Sequence, residues 1–186
     1  MKKLLLPLIL IFIFYGCEPE PEFLTAEQIE KEKQAVVDVM KDYNKANEEK
    51  NFSAMVETLA DEVTFFGTDS AEVIKTFAEF KKAMMDQWQH YDVMKYGEMS
   101  DVSIKMDANA TFASVIFGMP LHIQKGDRSA NVFLRVARTL EKQKGKWVIT
   151  GGIVGIARSS ETNGIFHAEQ GIEEKADEEN EQASGQ

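Results

Sequence analysis

Apolar residues follow distinct rules in different parts of this chain. An almost unbroken run covers Leu4 to Tyr15, interrupted only by Pro7. From Ile29 the spacing is helical: Ile29, Val36, Met40 and Tyr43 lie seven, four and three residues apart, with Lys and Glu between them. That spacing puts the apolar side chains on one helix face. Thr25-Ala26-Glu27-Gln28 supplies a capping box in front of it, and the helix is expected to end near Asn47. Asn51-Phe52-Ser53 opens a short second helix bearing Met55, Val56 and Leu59, followed by a brief strand, Val63 to Phe66, that stops at Gly67. A second capping box, Thr76-Phe77-Ala78-Glu79, starts a third helix whose Phe77, Phe80, Met84 and Trp88 share a face.

From about Tyr91 the period changes from helical to two. Val102, Ile104 and Met106 alternate with polar partners, and Asp107-Ala108-Asn109 provides turn chemistry. A long strand is expected over 110–124, a turn over 126–129, and another strand over 130–142 in which Val132, Leu134 and Val136 share a face. Lys144-Gly145-Lys146 turns the chain into a last strand, Trp147 to Ala157. Helices first and an antiparallel meander afterwards read as an α+β fold. Beyond 159 periodicity is lost, and seven acidic residues face one lysine between Glu169 and Glu181, the composition of a solvated tail.

The first apolar run has the anatomy of a secretory leader: Lys2 and Lys3, a short hydrophobic stretch, then Gly16-Cys17. It is shorter than the roughly 20 apolar residues that span a bilayer. Cys17, the sole cysteine, stands where cleavage would fall. This end resembles the lipobox of bacterial lipoproteins, which implies removal of 1–16, acylation of Cys17 and a chain tethered to the bacterial cell envelope, facing the periplasm or the surface. Residues 17–23, with EPEPEF after the cysteine, then form an acidic, proline-stiffened spacer. Acylation would leave no thiol for disulfide, metal or nucleophile, so the domain must rely on its core.

The formal charge of −10 becomes −12 once Lys2 and Lys3 leave with the leader. Such a surface repels nucleic acid, and no basic stripe or stacking platform offsets it. The chain is 44% hydrophobic, with 12 Phe and 9 Met, enough for a sizeable core.

Two stretches carry a family resemblance: DYNKANEEKNFSAMVETLADEVTFFGTD at 42–69 and ANVFLRVARTLEKQKGKWVI at 130–149. The first resembles the helix, turn, short helix and acidic-x-Val-aromatic strand of SnoaL-like domains. The second resembles the penultimate strand, basic-Gly-basic-Trp turn and final strand of the same family, a branch of the nuclear transport factor 2-like superfamily that includes ketosteroid isomerases and polyketide cyclases. The resemblance implies a domain over 24–158 in which a curved antiparallel sheet wraps the N-terminal helices as a cone. It further implies an apolar pocket near Phe65, Phe66, Trp88, Tyr91 and Phe133, no cofactor, and dimerisation through the outer sheet face.

Asp69, at the pocket mouth in such domains, is a candidate general base if it is half-buried among Phe65, Phe66 and Phe77. Its commoner role would be to cap the turn that begins Asp69-Ser70-Ala71-Glu72. Arg135 lies mid-strand and is the candidate to bind a carboxylate or orient Asp69, although the alternation puts Arg138 on the apolar Val132, Leu134, Val136 side. Arg138 is expected at the surface near the strand end. His90 closes the third helix and suits acid-base chemistry near neutral pH, or simply the helix dipole. His90, His122 and His167 are too scattered for a metal site. Gly151-Gly152 signals a bulge or close backbone approach and leaves two positions without side chains to carry chemistry. The leading expectation is therefore a small, largely apolar or carboxylate-bearing ligand, or an accessory role at the envelope. The alternatives are a cofactor-free isomerase, lyase or hydrolase based on Asp69, and a purely structural dimerisation module.

Overall fold

A computed structural model of the chain describes residues 24–69 and 71–157. The leader, Cys17, the spacer and the acidic tail lie outside the described residues. Helix α1, Ala26–Glu48, begins with the expected capping box: the Gln28 N–H donates to Thr25 Oγ1 and the Thr25 N–H donates to Gln28 Oε1 at 2.7 Å. Asn51 caps α2, Phe52–Val56. Helix α3, Phe77–His90, has the reciprocal box of Thr76 and Glu79. Its far end is closed from outside, because the Lys50 ammonium donates to the Trp88 and Tyr91 carbonyls at 2.9 and 2.7 Å. A cation at those carbonyls satisfies acceptors the helix leaves open and complements its dipole.

The strands are β1 Leu59–Phe66, β2 Val73–Ile74, β3 Val93–Tyr96, β4 Ser100–Met106, β5 Phe112–Lys125, β6 Arg128–Gln143 and β7 Lys146–Ala157. They make one curved, unclosed sheet in the order β2-β1-β7-β6-β5-β3, with β4 also paired to β5. The long β5 holds both on one edge, β4 along its first half and β3 along its second. Pro120 lies between those halves, after Gly118, which pairs with Ser100, and before Leu121, which pairs with Tyr96. A residue with no N–H is tolerated where the ladder changes partner.

The sheet is antiparallel except at one seam. β1 runs parallel to β7, a pairing absent from the expected meander, and the two-residue β2 was also not anticipated. Within β7, Thr139 pairs with Gly151 and Leu140 with Ile149, so Thr150 is an extra residue in the ladder. This bulge inverts the alternation. Trp147 and Ile149 are buried before it, whereas after it Val154 and Ile156 turn to the core and Ile153 is exposed. The concave side is filled by Val36, Met40 and Tyr43 of α1, Phe80 and Trp88 of α3, and the inward residues of β5 to β7.

Candidate functional site

On the concave face of β6 the inward series is Val132, Leu134, Val136, Arg138, Leu140. Four members are buried apolar residues; the fifth is an arginine. Cross-strand neighbours explain how it is accommodated. Arg138 pairs with Gly152 of β7, and Gly152 pairs with Phe65 of β1. With no side chain on the middle strand, the arginine stem crosses β7, and its guanidinium carbon lies 5.0 Å from the centroid of the Phe65 ring. A cation over an aromatic face is worth about 2 kcal/mol when desolvated.

Tyr43 and Asn47 sit one turn apart on the buried face of α1, and Tyr96 comes from β3. The Trp88 indole N–H donates to Asn47 Oδ1 at 2.6 Å, and Asn47 Nδ2 donates to the Tyr96 hydroxyl oxygen at 2.6 Å. This relay fills both ends of a buried amide and leaves the Tyr96 proton free to be donated elsewhere. The nearby Glu48 carboxylate is committed, accepting the Tyr96 backbone N–H at 2.6 Å and facing Lys95 at 3.2 Å.

Burial raises both phenols above their ordinary range, while the Arg138 charge opposes the rise. Burial pushes the Arg138 guanidinium down, and the charged-group influences on it come from Tyr43 and Tyr96. No carboxylate among the described residues is one of them. Arg138 thus remains a cation, since arginine stays protonated in proteins, but it has no counter-ion among the described residues. Part of its surface is open to solvent.

The other expected site residues distribute differently. Phe65 and Trp88 are interior, and Tyr91 is half-buried where α3 ends. Phe66 and Phe133 are exposed, because strand alternation directs them outward. The Phe133 ring covers Gly118, where a Cβ would lie 2.6 Å from it. Arg135 shares that outer face, between Gly118 and Gly155 on the adjacent strands, and is exposed. The expected placements of the two arginines are therefore reversed; β6 runs on to Gln143, so Arg138 is well inside the strand.

Asp69 is exposed rather than half-buried. Its Oδ1 accepts the Ala71 N–H at 2.7 Å, the capping role, while the Glu72 carboxylate accepts the Thr68 and Asp69 N–H groups. The half-burial that the general-base reading required is absent. His90 is exposed, its ring edge-on to Tyr91 at 4.6 Å. Asp69, Arg135 and His90 are not brought together on the concave face. Asn47 and Tyr96 were not singled out from the sequence, although Asn47 continues the helical stripe of Val36, Met40 and Tyr43.

Residues 36–152 match the family model of the SnoaL-like domain, a span that contains Tyr43, Asn47, Tyr96 and Arg138. The chain belongs to the SnoaL-like family. No curated protein matches it. Solved structures similar to this SnoaL-like domain include a candidate dehydratase of the nuclear transport factor 2-like family from Streptomyces avermitilis. That likeness has a TM-score of 0.62 at 9% identity and covers 70% of this chain and 99% of the other. A hexachlorocyclohexane dehydrochlorinase from Novosphingobium barchaimii gives 0.61 at 10% identity, covering 70% and 89%. A protein of unknown function with a cystatin-like fold from Nostoc punctiforme gives 0.58 at 14%, covering 74% and 96%. At these identities the likeness is one of fold, and the chemistry of this SnoaL-like domain has to be argued from its own residues.

Proposed function

We propose that the concave interior of this domain binds a small, largely apolar molecule, and that the protein serves as a ligand-binding or accessory module of the bacterial envelope. The observation that carries the reading is a partly accessible Arg138 on the apolar concave face, lying over the Phe65 ring and within electrostatic reach of Tyr43 and Tyr96. A few convergent polar groups in an apolar concavity are the usual make-up of a small-molecule site. Native mass spectrometry of the purified protein tests it: a retained organic adduct released on denaturation is expected. A protein that emerges empty and takes up no member of an apolar compound library would overturn it.

Envelope anchoring rests on the leader and Cys17. Metabolic labelling with a fatty acid should mark the protein, and Cys17→Ala should abolish the label and release the protein from membranes. Assembly as a homodimer is supported by the outer sheet face, where Phe66, Ile153 and Ile116 are exposed in one cross-strand row, with Ala137 between the two isoleucines. Ile116→Lys is expected to leave a folded monomer by light scattering.

A further inference from the structure

We infer that the interior site recognises a carboxylate, with Arg138 as its anchor and the Tyr96 and Tyr43 hydroxyls beside it; this rests on the interior binding reading above. The argument begins with an imbalance. Removing a guanidinium from water is costly unless its charge is paired and its N–H donors are used. At Arg138 the one hydrogen bond to a described residue is a long one, 3.4 Å from Nη1 to the Ala137 carbonyl oxygen. The Phe65 ring offsets part of the charge but accepts no in-plane hydrogen bond. The rest of the fork is unspent.

The neighbouring polar groups sharpen the choice of ligand. Tyr96 accepts from Asn47, so its own proton is available to an acceptor. The Tyr43 hydroxyl is governed by burial and by the Arg138 charge, and among the described residues no group hydrogen-bonds it. A fixed cation within electrostatic reach of two phenol groups is complementary to a monoanion with acceptor oxygens. A phosphate dianion would bring more charge than one guanidinium offsets, and no Gly-rich loop stands at this place to cradle it. A carboxylate matches the fork in charge and planarity. The surroundings of the fork are apolar, with the Phe65 ring under the guanidinium.

The fold also gives up something to keep this arginine. Gly152 holds φ at 152°, and a Cβ there would lie 2.8 Å from Arg138 Cδ and collide with the Ala137 carbonyl. An uncompensated local cost of this kind is characteristic of functional sites.

The test uses isosteric pairs on the purified full-length protein: acetate against acetamide, and octanoate against octanamide. Guanidinium resonances of Arg138, assigned by comparison with Arg138→Lys, report the first pair; calorimetry reports the second. Acetate should shift those resonances and acetamide should not. Octanoate should bind about tenfold or more tighter than octanamide, the size of a charge-assisted hydrogen-bond pair. Arg138→Met should erase the preference while raising the melting temperature, since it removes a partly buried charge that has no ion-pair partner among the described residues; Arg138→Lys should weaken octanoate binding without unfolding. Equal binding of octanoate and octanamide overturns the carboxylate anchor and leaves apolar binding standing. An acetate response with no binding of either long-chain probe overturns the apolar reading and leaves an anion site. An Arg138 signal indifferent to acetate overturns the anchor outright.

Discussion

Gly152 is the seat of Arg138. It stands directly between Arg138 and Phe65 in the sheet, and its missing side chain is what lets a cation from β6 lie on an aromatic ring from β1. Gly152→Ala should therefore cost about 1–3 kcal/mol through overpacking and backbone strain. Gly155 on the same strand has open space where a Cβ would stand, with nothing within 4 Å, so Gly155→Ala should stay within about 0.5 kcal/mol of the parent. Urea denaturation of the two variants side by side provides the comparison.

The Trp88–Asn47–Tyr96 relay should behave as a unit. Asn47→Leu leaves an indole N–H without its acceptor and is expected to cost about 2–3 kcal/mol, the penalty of stranding a buried polar group together with its lost bonds. Melting temperature and the Trp88 emission maximum, measured in a Trp147→Phe background, would register it. Stability equal to the parent would mean that the relay contributes nothing.

Asp69 offers the opposite expectation. Asp69→Asn preserves an oxygen for the Ala71 N–H, so stability should change by less than about 0.5 kcal/mol, whereas Asp69→Ala should lose about 1 kcal/mol of turn capping. Neither change should alter octanoate affinity. A loss of ligand binding in the Asn variant would return Asp69 to the site.

Asp107 ties the turn before β5. Its carboxylate accepts the Thr111 and Phe112 N–H groups at 2.7 Å and the Thr111 hydroxyl at 2.8 Å. These bonds, the Phe112 N–H foremost, hold its pKa at about 2, below the ordinary 3.8. A depressed carboxylate stabilises the fold above its unfolded-state pKa and loses that contribution as pH falls toward the folded value. Acid titration of the parent should show this loss between about pH 4 and pH 2, and Asp107→Asn should flatten that part of the curve.

What could be read in the sequence was whatever local chemistry fixes. Both capping boxes form as written, and the helical stripes through Met40 and Phe80 are buried. The two glycines at 151 and 152 do mark a bulge and close approaches: a Cβ on Gly151 would strike the Thr64 carbonyl across the seam with β1. What could not be read depends on long-range register. β6 carries apolar residues on both faces, Phe133 outside and Leu134 inside, so hydrophobicity does not say which arginine enters the core. The parallel pairing of β1 with β7 and the parity switch at Thr150 are set by contacts between segments far apart in the chain. Asn47 escaped notice because a polar residue near a helix end is ordinarily solvated, and only the tertiary fold brings Trp88 and Tyr96 to it.

The β1–β7 seam has a consequence for the order in which the molecule can be made. β1 precedes the rest of the described sheet in the chain, yet among the described residues its only long partner is β7, ending at Ala157. Closing that loop costs chain entropy that the two-residue pairing with β2 and the Phe65–Phe80 contact offset only in part, so the sheet is not expected to assemble strand by strand from β1 onward. Until β7 is synthesised, the nascent chain stays open and threadable. A truncation that removes β7 would leave β1 without its long ladder and the Arg138 seat without its floor, and such a chain should be held by chaperones or degraded rather than accumulate as a smaller folded domain.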